Sequence, residues 1–116
     1  MDFSQYLSEL QAIVDEDFNK AGFGGWQGRV LELQEGGKFI RIVAKDKRLD
    51  GSLEQYGSAF GFIVKEDNSA KSATTGQWFK AGDLLKTAGW KAPARNFSRG
   101  NITDLKNAQV RWTGVY

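Results

Sequence analysis

The chain has 116 residues, which is enough for one domain with a single modest hydrophobic core. Hydrophobic residues make up 41% of the chain and aromatic residues 13%, and this composition excludes a disordered protein. The chain has no cysteine and no histidine, so it lacks a disulfide scaffold, thiol chemistry, the commonest general base and the commonest metal ligand. We therefore predict no metal, no cofactor and no enzymatic activity.

The net charge of +2 is unevenly distributed along the chain. Residues 1–35 carry seven acids and two cations, a net of −5, and residues 36–116 carry seven acids and fourteen cations, a net of +7. This asymmetry predicts an acidic element apart from a basic surface. The alternative is scatter plus one acidic, solvated helix face.

The sequence gives no indication of membrane insertion or export. No apolar run approaches the ~20 residues of a membrane span. Asp2 stands where a signal peptide has basic residues. We predict no membrane partner and a cytoplasmic location, in the host cytoplasm if the gene is viral.

The N-terminal residues show the periodicity of an amphipathic helix. Apolar side chains recur every three or four positions over residues 3–21, at Phe3, Tyr6, Leu7, Leu10, Ile13, Val14 and Phe18. Asp2 and Gln5 form a candidate capping box, and Gly22 is a candidate left-handed stop. We assign residues 1–22 to this helix and residues 23–116 to a sheet with a basic loop, within a single domain spanning 1–116.

The next residues predict a β-hairpin. Residues 28–34 and 38–45 alternate as strands, and Glu35-Gly36-Gly37 forms the turn between them. The preceding glycine-rich residues 23–28 follow a helix and enter a strand, which is the wrong order for a phosphate-binding loop. We interpret them as a turn.

A third strand is predicted over residues 57–65, with Phe60, Phe62 and Val64 on one face. The run Phe60-Gly61-Phe62-Ile63 is similar to the RNA-recognition signature of RRM and cold-shock domains, whose aromatic residues stack on bases. The match is partial, because Ser58-Ala59 replaces the basic residue and glycine, and Lys65 replaces the terminal aromatic residue. Packing in the core is the favoured interpretation, and base stacking is the alternative.

Two further strands are predicted towards the C-terminus. Residues 66–76 form a small, polar loop, and residues 77–81 form the return strand that follows it. Residues 109–115 form a final strand that rejoins the sheet.

The segment 82–102 is the most distinctive part of the chain. It contains four cations, two large aromatic residues, a single acid and the chain's single proline. Asp83 is a candidate cap for one helical turn over residues 84–86, which Gly89 ends. Pro93 restricts Ala92 to an extended conformation, so the segment around it is stiff.

Six residues of this segment are candidates for binding an anionic ligand. Cations suit phosphate, amides suit a base edge or ribose, and rings suit stacking. On this basis we assign phosphate contacts to Lys91, Arg95 and Arg99, a base or ribose contact to Asn101, and stacking to Trp90 and Phe97. The alternative is structural: Trp90 fills the core, Phe97 anchors the loop and Asn101 makes a turn.

The same segment resembles a block found in small proteins encoded by bacteriophages. The resemblance is carried by Gly82-Asp83, Lys86, Ala88, Trp90-Lys91-Ala92-Pro93-Ala94 and Arg99-Gly100-Asn101-Ile102. A strand hairpin precedes the block in those proteins, and the resemblance covers about the last half of this chain. It implies a phage source and no particular activity. The loop at residues 66–76 is longer here.

The predicted fold class is α+β: an N-terminal helix packed on an antiparallel sheet of about five strands, with the 82–102 loop across one edge. The predicted function is a non-enzymatic module that binds nucleic acid, in single-stranded form. The alternatives are a nucleotide-binding protein of a phage and a structural or host-protein-binding factor. The sequence leaves the oligomeric state open.

Overall fold

The computed structural model describes residues 3–21, 28–48 and 50–116. A 3₁₀ turn, Ser4–Tyr6, leads into helix α1, Leu7–Ala21. Strands β1 (Arg29–Glu35), β2 (Phe39–Asp46), β3 (Ser58–Val64) and β4 (Leu84–Leu85) follow, and then a short hairpin, β5 (Val110–Arg111) and β6 (Gly114–Val115). This architecture confirms the predicted α+β class.

Helix α1 follows the periodicity that predicted it. Phe3, Leu10 and Val14 are buried in the core that the helix shares with the sheet. The side chain of Gln11 ties the helix to β1, because its Nε2 donates to the carbonyl of Arg29 at 2.7 Å and its Oε1 accepts from the N–H of Leu31 at 2.8 Å. In the parts of the chain that the structure describes, no helix is long or apolar enough to cross a membrane. The predicted cap at Asp2, the stop at Gly22 and the turn at residues 23–27 lie outside the described residues.

The main sheet has the order β1-β2-β3-β4, and every neighbouring pair is antiparallel. The predicted hairpin is confirmed, and its register pairs Arg29 with Asp46 and Glu35 with Ile40. The predicted third strand is also confirmed, within one residue at each end. The sheet therefore has four strands, and β5 pairs with β6 in a sheet of their own.

A β-bulge changes the predicted face of Phe60. Ile42 pairs with Gly61 and Val43 pairs with Ala59, so β3 carries one extra residue at this point. Phe60 therefore packs into the core beneath α1, whereas Phe62 and Val64 pack on the opposite face of the sheet. The prediction that the three side chains share a face is wrong. Phe60 and Phe62 are both buried, as the core interpretation of this strand required.

Two local predictions between β3 and the C-terminal segment are wrong. Residues 77–81 do not form a strand and make only an isolated bridge between Trp78 and Lys71. Residues 84–86 do not form a helical turn, because Leu84 and Leu85 pair with Ile63 and Phe62 as the edge strand β4. Both leucines are fully buried, one on each face of the sheet, and this tertiary burial outweighs the helix propensity of leucine.

The prediction of a final strand over residues 109–115 that rejoins the sheet is also wrong. Residues 110–115 turn back on themselves as the β5–β6 hairpin and do not join the main sheet. Val115 instead packs against β3 at Gly61, where a side chain is absent. Before this hairpin, a 3₁₀ segment, Ile102–Asn107, buries Ile102 and Leu105 in the core.

The face of the sheet away from α1, here called the second face, is only partly covered. A small core of Phe62, Val64, Ala70, Phe79 and Leu85 occupies the β3–β4 side. On the β1–β2 side the sheet bears polar side chains, among them Gln34 and Arg41, which pair across the two strands. This arrangement leaves the β1–β2 side as the place where the C-terminal segment meets the sheet.

The close packing at Gly61 gives a test of the fold. A Cβ at Gly61 would lie 2.4 Å from Cγ2 and 3.0 Å from Cβ of Val115. We expect Gly61→Ala to lower the free energy of unfolding by about 1–3 kcal/mol in urea denaturation, because overpacking forces the hairpin off the sheet. Gly37→Ala is the matched control, since a Cβ there has no heavy atom within 4 Å.

The double variant Gly61→Ala/Val115→Ala should lose less stability than the sum of the two single changes, because removal of Cγ2 relieves the nearer contact. Equal stability of the Gly61→Ala and Gly37→Ala variants would contradict the described packing of β6 on β3.

Candidate functional site

The segment 82–102 folds back on itself along the outer edge of β4. The N–H of Leu84 donates to the carbonyl of Gly100 at 2.8 Å, and the N–H of Arg99 donates to the carbonyl of Leu84 at 2.8 Å. Further out, the N–H of Ala94 donates to the carbonyl of Lys86 at 2.7 Å. The segment is therefore a backbone-paired ribbon and not a free loop.

Residues 87–93 form the end of this ribbon, here called the tip loop. A bridge between Thr87 and Pro93 closes it, and the N–H groups of Ala88 and Gly89 donate to the carbonyl of Ala92 at 3.0 and 3.2 Å. These bonds leave Trp90 and Lys91 at the turn, where both residues are exposed.

One arginine of β2 connects the tip loop to the second face of the sheet. Nε of Arg41 donates to the carbonyl of Trp90 at 2.8 Å, and its guanidinium carbon lies 4.4 Å from the centroid of the Trp90 ring. Nη1 of the same side chain donates to Oε1 of Gln34 at 2.9 Å. Trp90 is nevertheless 43% exposed, so it does not fill the core.

Lys91 and Arg95 are exposed, and their side chains make no hydrogen bond or ion pair with any residue that the structure describes. The backbone of Arg95 is fixed, because its carbonyl accepts from the N–H of Ala73 at 2.7 Å. Nearby, the buried hydroxyl of Ser72 donates to the carbonyl of Asn96 and accepts from the N–H of Thr75 at 3.0 Å. The loop at residues 70–78 therefore holds the chain at Arg95 while leaving the guanidinium in solvent.

Arg99 has a different environment. Its guanidinium carbon lies 4.0 Å from the centroid of the Phe97 ring, and Nη1 donates to the carbonyl of Tyr116. Nη2 is 3.4 Å from Oδ1 of Asn96, and Nε is buried without a hydrogen-bond partner. Arg99 thus joins the ribbon to the C-terminal residue. Phe97 remains 48% exposed.

The side chain of Asn101 is already engaged inside the fold. Nδ2 donates to the carbonyl of Ala81 at 3.0 Å and to Oδ1 of Asp83 at 3.2 Å. Oδ1 accepts from the N–H of Thr103 at 3.0 Å and from its hydroxyl at 2.7 Å, which caps the 3₁₀ segment. We assign Asn101 a structural role on this geometry.

The candidate residues fall into two groups that line different cavities. Lys91 lines a cavity of about 120 Å³ with Lys38 and Arg41, and Trp90 lines a neighbouring cavity of about 260 Å³ with Tyr56. Phe97 lines a third cavity, of about 150 Å³. The structure therefore brings Trp90 and Lys91 to the β1–β2 side of the second face, and places Phe97, whose ring contacts Arg99, at a separate groove.

Sequence reasoning missed three aromatic or cationic partners. Trp78 is 54% exposed, lines the groove with Phe97, and has Nζ of Lys71 at 5.4 Å from its ring centroid. Arg41 and Tyr56 were also missed. Trp78 could have been found, because it is a tryptophan in a predicted strand whose sequence does not alternate. Arg41 could not, because it is 49 positions from Trp90 and nothing in the sequence links the two residues.

Cations outnumber available carboxylates in the C-terminal half of the molecule. Residues 66–116 contain eight cations and four acids. Asp67 and Asp83 accept from the backbone N–H groups of Ala81 and Lys80, at 2.7 and 2.9 Å, so they serve the loops. In this segment, only Arg111 forms an ion pair with a described residue, Asp17, at 3.7 Å. The other seven cations of this segment form no ion pair with any residue that the structure describes.

The largest cavity described, of about 540 Å³, lies elsewhere, between α1 and β1. Its central polar side chains already have partners, because Gln11 bonds to β1 and Arg29 donates to Asp46 at 2.8 Å. Among the described residues, no group of three or more His, Cys, Asp or Glu side chains could hold a metal ion. These features place the candidate site on the second face and not in the largest cavity.

The different environments of Arg95 and Arg99 give a test of their roles. We expect Arg99→Gln to lower the free energy of unfolding by about 1–2 kcal/mol, because it removes the bond to the Tyr116 carbonyl and the contact with Phe97. Arg95→Gln is the matched control and should change it by less than about 0.5 kcal/mol. Urea denaturation of both variants measures the difference, and equal losses would contradict these assignments.

No protein-family model, curated protein or solved structure matches this chain. The resemblance of the 82–102 segment to phage-encoded proteins therefore stays a prediction.

Proposed function

We propose that the protein is a non-enzymatic module that binds single-stranded nucleic acid across the second face and the adjoining ribbon. The observation that carries the proposal is the combination of exposed rings and unneutralised cations on one backbone-fixed segment. Trp90 and Phe97 are exposed there, and Lys91 and Arg95 lack ion-pair partners among the described residues. Single-strand binding proteins combine these two features, because rings stack on bases and cations follow the phosphates.

The roles of the individual residues follow from their surroundings. Lys91 and Arg95 are assigned to phosphates, since their charged groups are in solvent and hydrogen bonds hold the backbone of Arg95 and of Trp90 and Ala92 on either side of Lys91. Trp90 is assigned to base stacking. Phe97 is also assigned to stacking, with Arg99 on its ring as a positioning residue and not as a free phosphate ligand. Asn101 is not included, because its amide is bonded within the fold.

The position of these cations favours a polymer over the alternative of a free nucleotide. Lys91 is at the tip of the ribbon and Arg95 is beyond its closing bridge between Thr87 and Pro93, so the two charges lie along the ribbon. Both are exposed. Successive phosphates of a strand supply one anionic group for each of these charges, whereas a mononucleotide has a single phosphate for both.

The proposal is tested by the salt dependence of binding to a labelled oligothymidylate of about twelve nucleotides, a length within the range of known single-strand sites. For the wild-type chain we expect the logarithm of the association constant to fall linearly with the logarithm of the salt concentration. Lys91→Ala and Arg95→Ala should each reduce the magnitude of that slope by about 0.7, because each variant loses one phosphate contact.

Lys20→Ala is the matched control, since Lys20 is an exposed cation of α1 whose Nζ is 3.1 Å from Oε1 of Glu16. The Lys20→Ala variant should show the same slope of log association constant against log salt concentration as the wild type. Absence of binding at low salt, or equal effects of all three substitutions, would refute the proposal. An affinity that does not increase from mononucleotide to oligonucleotide would favour a nucleotide-binding protein instead.

A further inference from the structure

A cleft on the second face is lined by two aromatic side chains that are not part of the hydrophobic core. It has a volume of about 260 Å³, with Tyr56 and Trp90 among its lining residues and Val43 and Gly57 at its base. Val43 is fully buried, so the base of the cleft is apolar. Tyr56 is 79% exposed and makes no hydrogen bond or ring contact with any described residue. Core packing therefore does not account for this ring.

Arg41 holds the Trp90 wall in place from the other side. Its Nε donates to the Trp90 carbonyl and its guanidinium lies 4.4 Å from the ring centroid. Arg41 lines the neighbouring cavity of about 120 Å³ and is absent from the lining of this cleft, whereas Trp90 lines the cleft. The guanidinium thus contacts the indole, and Trp90, which is 43% exposed, also lines the cleft, so part of this residue is accessible to a ligand there.

The chain on both sides of Tyr56 is fixed to β2. Before it, the N–H of Glu54 donates to the carbonyl of Asp46 at 3.1 Å, and Oε1 of Glu54 accepts from the N–H of Asp46 at 3.0 Å. After it, the backbone at Gly57 passes so close to β2 that a Cβ would lie 2.5 Å from the carbonyl oxygen of Ala44. Tyr56 is therefore an exposed ring on a constrained backbone, which lowers the entropic cost of stacking on it.

The polar groups at the rim indicate the part of a ligand that the cleft would take. The carboxamide of Gln55 has no partner among the described residues and offers both donors and acceptors. Nζ of Lys45 is 3.3 Å from Oε2 of Glu32, so its charge is neutralised. An uncharged, planar group with hydrogen-bonding edges fits these surroundings better than a phosphate does.

We infer that this cleft holds one base of a single strand, stacked between Tyr56 and Trp90, with Gln55 at its edge. The inference rests on the proposed function. It adds a site for the base, because the cations are assigned to phosphates and do not provide one. The phosphate next to that base would pass Lys91, which follows Trp90 in the chain and is exposed beside the neighbouring cavity. Arg41 acts as a positioning residue for Trp90.

The experiment compares two probes of equal length and charge: an oligothymidylate of about twelve nucleotides and the corresponding abasic oligonucleotide. The ratio of their affinities measures the contribution of the bases alone. We expect Tyr56→Leu and Trp90→Leu to reduce this ratio by roughly tenfold while leaving the affinity for the abasic probe unchanged. Tyr56→Phe should keep the ratio, because it retains the ring.

Tyr116→Leu is the matched control, since Tyr116 is an exposed tyrosine that does not line the cleft. It should leave the ratio at the wild-type value. If the chain binds both probes and Tyr56→Leu leaves their ratio unchanged, or weakens both probes equally, the cleft is not a base site although the proposed function stands. If the wild-type chain binds neither probe at low salt, the proposed function fails and the inference fails with it.

Discussion

Backbone pairing on both edges of residues 82–86 is the constraint on which the C-terminal half of the molecule depends. On one edge these residues bond to β3, where Leu84 and Leu85 pair with Ile63 and Phe62. On the other edge they bond to the returning chain at Ala94, Arg99 and Gly100. The returning chain is therefore held mainly by main-chain bonds, with the side chains of Arg99 and Asn101 as additional ties, whereas those of Lys91 and Arg95 are not used to hold it. This is why a segment rich in cations and rings can keep most of them in solvent.

The same main-chain bonding also explains why the acids and the cations of this part of the chain have different roles. Carboxylates suit loop construction because they accept from backbone N–H groups, as Asp67 and Asp83 do here. Lysine and arginine are donors only and have no comparable use at an N–H group. Since the acids are engaged by the backbone, nearby cations lose their natural partners, and a positive surface results without a high net charge. The total of +2 therefore conceals the local excess of cations over acids, eight to four, in residues 66–116.

The sequence predicted the elements whose signal is local. Helix α1, the β1–β2 hairpin and β3 each show their own periodicity, and the structure confirms them. Strand β4 was mistaken for a helical turn because two adjacent leucines have no period, and only burial on both faces of the sheet selects the extended form. The bulge that moves Phe60 across the sheet and the glycine that admits Val115 depend on partners distant in the chain. The candidate site shows the same division. The cations could be found from composition, whereas the position of Trp90 on the second face depends on its contact with Arg41, and the proximity of Tyr56 to Trp90 depends on the cleft that both residues line.

The acidic N-terminal part of the chain would oppose an anionic ligand only if it lay on the same surface. Helix α1 packs on the face of the main sheet away from the second face, together with Leu31, Ile40 and Ile42. The exposed carboxylates of α1 therefore lie on the side of the sheet opposite the second face. Some of these acids are also paired locally, as Glu16 is with Lys20 and Asp17 with Arg111. In β1, however, Glu35 lines the same cavity as Lys91, and Glu32 and Glu35 are paired with Lys45 and Lys65 at 3.3 and 2.8 Å. The fold therefore separates only the helix carboxylates from the ribbon, and ion pairs with these lysines balance the two acids of β1.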